Sequence, residues 1–196
     1  MAITSSVVPS HNNRLQRTVM HNPSGNFSTG SLGATMDTIR THLIDASALV
    51  KLFVREPGSD VVRAYFGEHS VFAATSLCIG EVLGVLKAQW LRKQISHEQY
   101  FAASEELMAH LRNGTITIEE VSLADRAVFD ETERVAAAHA LDIVDAHQLV
   151  TLERGFFGKL PGESNGILIT ADSALANAAL ERKLRVWNPL SSSASA

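Results

Sequence analysis

Disulfide chemistry has almost nothing to work with in this chain: among 196 residues there is one cysteine, Cys78, and it lies in an apolar run. That excludes an internal disulfide framework and a thiolate metal site, and it fits a reducing compartment. Long hydrophobic runs are also missing. Nowhere do the roughly eighteen consecutive apolar residues of a membrane span occur, so the expectation is a soluble, cytoplasmic protein with no membrane partner. A basic balance is absent too. The net charge is −4, which gives no global signature of nucleic-acid binding. Setting four acids aside as metal ligands would bring that charge to zero, so the sum argues neither way. The eight histidines have no paired spacing of the kind that holds zinc, and no internal repeat is evident. The first 36 residues contain no acid at all, the first being Asp37.

What is present is a 45% hydrophobic chain, long enough for one substantial core. The acid-free start is rich in Ser, Asn, Thr and Gly, carries Arg14 and Arg17, and lacks hydrophobic periodicity. It reads as a disordered leader over 1–38; two arginines without an amphipathic face make a poor organelle transit peptide. One domain is expected over 39–190, followed by a flexible tail over 191–196. Within the domain, strand and helix patterns alternate. Ser59 is placed to cap a helix through His69, Val71 to Ala74 read as a strand, and Ser76 opens a long apolar helix to about Lys93. Ser96-His-Glu-Gln99 has capping-box spacing before another helix, which Asn113-Gly114 ends. Ile116 to Val121 suggest a strand, Leu123 to Ala140 a helix, and Ile143 to about Phe156 another. Ile167 to Ile169 form an apolar strand, Ser173 to Lys183 a helix, and Val186-Trp187 a last strand. Strands alternating with helices predict an α/β fold whose short, mainly parallel sheet is covered on both faces.

In such sheets ligands gather beyond the carboxyl ends of the strands, and two strands end in acids. "HLID" delivers Asp45, and "ILITAD" delivers Thr170 and Asp172, to the same rim. Glu81 sits among Leu77, Cys78, Ile79, Val82, Leu83, Val85 and Leu86, so the first turns of its helix are apolar nearly all round. A carboxylate buried there without a partner would cost several kcal/mol or shift its pKa upward. Asp145 stands near the start of a helix, in "LDIVDAHQLV", with apolar neighbours. Taken singly, Asp45 and Asp172 are most simply helix caps; Asp142 is assigned to a cap and Asp145, one turn in, to a site. Taken together, an oxygen-only cluster on rigid elements suits magnesium or manganese. Such a cation neutralises phosphate oxygens and activates water, which makes phosphodiester hydrolysis the natural chemistry.

The stretches "LIDASALVKLFVREPGS", "SLCIGEVLGVL", "LDIVDAHQLV" and "LITADSALANAAL" resemble, in order and separation, the four acidic motifs of the PIN-domain family, and within it the VapC-like ribonucleases of toxin–antitoxin pairs. The resemblance covers about Thr41 to Asn188. It implies a three-layer α/β/α PIN-like fold and a magnesium- or manganese-dependent endoribonuclease that leaves a 5′-phosphate and a 3′-hydroxyl. It implies Asp45, Glu81, Asp145 and Asp172 as catalytic and metal-binding acids, with the hydroxyls of Ser47 and Thr170 orienting them. It also implies an RNA substrate, a homodimer and a small protein antitoxin that silences the enzyme. Two departures stand out: His147 and Gln148 occupy positions where relatives often carry leucine and then histidine, and the leader has no counterpart in the minimal domain.

Basic residues near the acids are the candidates for RNA contact, since phosphate neutralisation dominates affinity: Lys51 and Arg55 after Asp45, and Arg154 and Lys159 around the Gly155 loop. For most basic residues at helix ends the simpler reading is a solvated cation on the helix dipole. Phe156-Phe157 suggests a buried anchor before a base-stacking platform. Two other readings compete with the nuclease. One is a PIN-like module that binds RNA or protein without cutting. The other is a haloacid-dehalogenase-type phosphatase with Asp45 as nucleophile, which usually needs a second Asp where this chain has Ser47.

Overall fold

The computed structural model describes residues 41–69, 72–159 and 166–191, all within the unit that begins at Asp37. The leader expected over 1–38 and all but Ser191 of the expected tail lie outside the described residues. The elements follow in the order β1 (His42–Ile44), α1 (Ala46–Phe53), α2 (Ser59–Glu68), β2 (Phe72–Ala74), α3 (Ser76–Leu91), α4 (His97–Arg112), β3 (Ile116–Ile118), α5 (Arg126–His139), α6 (Ile143–Arg154), β4 (Ile167–Ile169), α7 (Ser173–Glu181) and β5 (Arg185–Trp187), with a short 3-10 turn at Phe157–Lys159 before β4.

The five strands form one sheet in the order β3-β2-β1-β4-β5, and all four pairings are parallel. Parallel strands are buried on both faces, and three-residue strands suffice because their side chains alternate between two cores. Ile44, Phe72, Ala74, Ile116 and Ile169 face one side, where Leu49, Cys78, Val82, Leu86 and Leu107 of α1, α3 and α4 pack. Leu43, Ala73 and Leu168 face the other, against Val135, Ala146, Leu149, Leu175 and Ala179 of α5, α6 and α7. The architecture is therefore three-layer α/β/α, as the alternation predicts. Among the described residues no helix is long and apolar enough to cross a membrane.

Helix starts follow local chemistry. Ser96 and Gln99 form the expected reciprocal capping box on α4, and Thr75 caps α3 through the Cys78 N–H. Ser59 does not cap α2. The cap position is Gly58, in the left-handed region at φ 85°, where glycine is the residue without steric penalty. A Cβ at Gly58 would also come within 2.9 Å of Leu190. Ser59, buried, instead closes the preceding turn: its hydroxyl accepts from the Glu56 N–H at 2.9 Å and donates to the Val54 carbonyl at 3.0 Å.

Candidate metal and phosphate site

In this strand order the chain builds outward from β1 through β2 to β3, then returns to place β4 on the opposite side of β1. The crevice between the carboxyl ends of β1 and β4 is thus the topological switch point, where open α/β sheets bind ligands. Asp45 follows β1 directly and Thr170 follows β4. The ladder continues one bond past the strands, with the Asp45 N–H donating to the Ile169 carbonyl at 2.9 Å.

Asp45 is 2% exposed and its carboxylate is held by three residues. As the cap of α1 it accepts the Ser47 N–H on Oδ2 at 3.1 Å. The same oxygen accepts the Ser47 hydroxyl and, at 2.9 Å, the Thr170 hydroxyl. Gln148 Nε2 donates to the other oxygen, Oδ1, at 2.9 Å. Ser47 Oγ in turn accepts from the N–H groups of Ala171 at 2.9 Å and Asp172 at 3.1 Å, and Thr170 Oγ1 accepts from Asp172 N–H at 3.0 Å. The two hydroxyls therefore tie the start of α1 to the turn between β4 and α7. Asp172 itself is exposed and caps α7, its Oδ1 accepting from Ala174 N–H at 2.7 Å and Leu175 N–H at 2.9 Å. Both acids are thus caps, as each reads singly, and both stand at the switch point as well.

The other two acids are held differently. Asp142 caps α6 by accepting the Asp145 N–H at 2.9 Å, as assigned. That leaves the Asp145 carboxylate, half-buried, without a hydrogen bond among the described residues. Its pKa is pushed up to about 7, by burial first and then by Asp45, Asp142, Asp172 and Glu81. Glu81 corrects the sequence expectation, because it is exposed rather than sunk in an apolar helix. The core face of α3 is carried by Cys78, Ile79, Val82 and Leu86, whereas Gly80 and Gly84 are exposed beside Glu81 and Leu77 is 36% exposed. Partial desolvation still raises its carboxyl above the usual range, followed by repulsion from Asp45, Asp142 and Asp172. Cys78, one turn earlier, ties α3 to the end of β1 by donating to the Ile44 carbonyl at 3.3 Å. Burial raises this thiol too, with help from Asp45, Glu81 and Asp145.

Asp45, Asp142 and Asp172 therefore act on both Glu81 and Asp145, and Glu81 acts on Asp145 as well. The ion pairs of the described residues join other partners, so none of them ties a lysine or arginine to these five acids. In charge and in oxygen-only chemistry the set fits a hard divalent cation. In spacing it is open: among the described residues no three His, Cys, Asp or Glu side chains form a group that would hold an ion as they stand. Glu81 and Asp145 are the two acids of the set whose carboxylates carry no hydrogen bond among the described residues. Asp45, buried with both oxygens hydrogen-bonded, is not presented as a nucleophile, which disfavours the phosphatase reading.

The candidate RNA contacts divide. Lys51 is corrected: it is 6% exposed and paired with Glu56 at 3.1 Å, so it offers no surface charge. Arg154 is engaged by Glu131 at 2.7 Å and by the Ala127 carbonyl. Arg55 and Lys159 are exposed. Phe157 is a buried anchor at 1% exposure while Phe156 is 55% exposed. The sequence gives no site role to Gln148, which stands there only as a departure from the pattern of relatives. Its signal is an amide three residues after Asp145, on the same helical face, with Ala146, Leu149 and Val150 around it.

The chain matches no protein-family model, and no curated protein matches it in sequence. In structure it is similar to the crystal structure of PAE2754 from Pyrobaculum aerophilum, at a TM-score of 0.48 and 23% identity, over 71% of this chain and 85% of that one. At that level of similarity no residue role passes from one to the other.

Proposed function

We propose that this chain is a magnesium- or manganese-dependent endoribonuclease of the PIN-domain type, acting as the toxin of a toxin–antitoxin pair. The observation that carries the reading is the acidic set around the switch point: Glu81 and Asp145 feel the charge of Asp45 and Asp172, and none of the four has an ion pair to a lysine or arginine among the described residues. A bound divalent cation would supply charge neutralisation of a phosphodiester and acidify a water. The protein's own part is placement. Asp45 is locked by Ser47, Thr170 and Gln148, Asp172 is fixed by its capping bonds, and Glu81 on α3 and Asp145 on α6 would complete the set that holds the ion. Arg55 and Lys159 are the exposed cations of the candidate set left to meet RNA phosphates. A homodimer and a small protein antitoxin belong to the same reading through the motif resemblance.

The test is cleavage of a mixed pool of structured RNAs by the purified protein, with magnesium, manganese or EDTA, beside the Asp45→Asn variant. Cutting that needs the metal and is lost in the variant is the expected result. A folded protein that cuts nothing under any condition overturns it. One observation favours a second reading, a PIN-like module that binds RNA or protein without cutting: the acids do not stand close enough to hold an ion without side-chain rotation.

A further inference from the structure

Among the described residues, three half-buried carboxylates are met by cations: Glu56 by Lys51, Glu153 by Arg182 and Glu131 by Arg154. Asp45, the most buried of the switch-point acids, is met by neutral donors. Two of them, Ser47 and Thr170, crowd onto Oδ2. The remaining oxygen, Oδ1, is held by Gln148 Nε2 at 2.9 Å. Gln148 is 0% exposed and sits in the run Ala146–Leu152, every residue of which is buried. Its own carbonyl, Oε1, has no hydrogen-bond partner. A buried amide with one end unsatisfied is costly to keep relative to an apolar side chain of the same shape, so its structural value is poor. Its orientation is nonetheless decided, because Oε1 turned toward Asp45 would set two acceptors against each other.

We infer that Gln148 is a positioning residue for a divalent cation: it fixes the plane of the Asp45 carboxylate by holding Oδ1, and it does so without cancelling the charge the cation must meet. The inference rests on the metal-site reading above and adds the residue that sets that site's affinity. Hydrogen bonds from behind a ligating carboxylate orient it, and losing one weakens metal binding about 10–100-fold. Asp145, one helical turn away on α6, links this orientation to the acid that moves. When α6 is seated so that Gln148 reaches Asp45, Asp145 is brought to the same rim.

The experiment uses the full chain without RNA and manganese alone as the probe. Binding is followed by the electron paramagnetic resonance signal of free ion and by water-proton relaxation of the bound ion. The variant is Gln148→Met, which keeps the length and removes the donor; its urea midpoint establishes that it folds. The expected result is manganese binding weakened at least about tenfold, with higher relaxivity per bound ion because a carboxylate oxygen gives way to water. An affinity within about twofold of wild type, or an unchanged relaxivity, overturns the inference while leaving the metal site standing. Wild-type protein that binds no manganese overturns the metal-site reading itself, a different result. Should Gln148→Met fail to fold, Gln148→Leu takes its place with the same two readouts.

Discussion

The acidic cluster has two halves built on opposite principles. Asp45 and Asp172 are pinned: one carries hydrogen bonds to both oxygens from Ser47, Thr170 and Gln148, and the other commits Oδ1 to two backbone N–H groups of α7. Glu81 and Asp145 carry no hydrogen bond on their carboxylates among the described residues and are instead pushed toward their neutral forms by burial and by their neighbours. The pinned half lies where strands end, so its geometry follows from helix capping. The unpinned half lies within helices, Glu81 on α3 and Asp145 on α6, away from the strand ends. The difference assigns location to the first pair and responsiveness to the second.

Breaking the pinned half has the largest effect. Asp45→Ala would leave the Ser47, Thr170 and Gln148 donors facing a void and remove the cap of α1. The sum of a lost cap, about 1 kcal/mol, and at least one buried unsatisfied donor, about 1–3 kcal/mol, gives roughly 3 kcal/mol of destabilisation, measurable as a lower urea midpoint. Asp45→Asn separates charge from structure. The carbonyl of the introduced amide can take the place of Oδ2, and its NH2 then points at Gln148, which answers by turning its unpartnered Oε1 inward. The variant should keep most of its stability and lose metal-dependent cleavage. A variant that still cuts RNA at the wild-type rate would remove Asp45 from the mechanism.

Thr170→Val is the next step down. It deletes one of the bonds to Asp45 Oδ2 and one of the two acceptors for Asp172 N–H while keeping a β-branched shape at a fully buried position. A loss of about 1–2 kcal/mol is expected. A larger loss would show that the hydroxyl network holds α7 as well as Asp45.

The sequence announces the pinned half well. Strand-to-helix junctions written as "LID" and "ITAD", followed by helical spacing, specify both a cap and a place on the rim, and the layer architecture follows from the same alternation. It announces the unpinned half less well, for physical reasons. Glu81 is flanked by apolar residues whose burial depends on which face α3 turns to the sheet, and the two glycines beside it open the side that the pattern alone reads as closed. Lys51 reads as a surface cation because nothing local shows that Glu56, across the end of α1, will capture it. Gln148 is legible only as a polar residue out of place, since its partner lies 103 positions away in the chain.

The smallest effect on stability, and the sharpest on the comparison, comes from Asp145→Asn. A carboxyl whose pKa is raised in the folded state toward about 7 from an unfolded value near the usual ~3.9 binds its proton more tightly folded than unfolded. Below the unfolded value both states are protonated and the group contributes nothing. As pH rises toward 7 the unfolded chain gives up its proton first, so the native state loses stability relative to it, and above 7 the full penalty remains. Asparagine carries no such penalty. The variant should therefore melt higher than wild type at pH 8 and nearly match it at pH 4. Solvent reaching the half-buried carboxyl screens the penalty well below the roughly 4 kcal/mol that the full rise in pKa would carry unscreened, and at about 1 kcal/mol it moves Tm by about 2–4 °C in a chain of this size. Saturating manganese should reverse the order, because the ion stabilises only the protein that keeps the carboxylate to bind it. The same melting difference at both pH values would show that Asp145 acts through packing, and that both halves of the cluster are fixed.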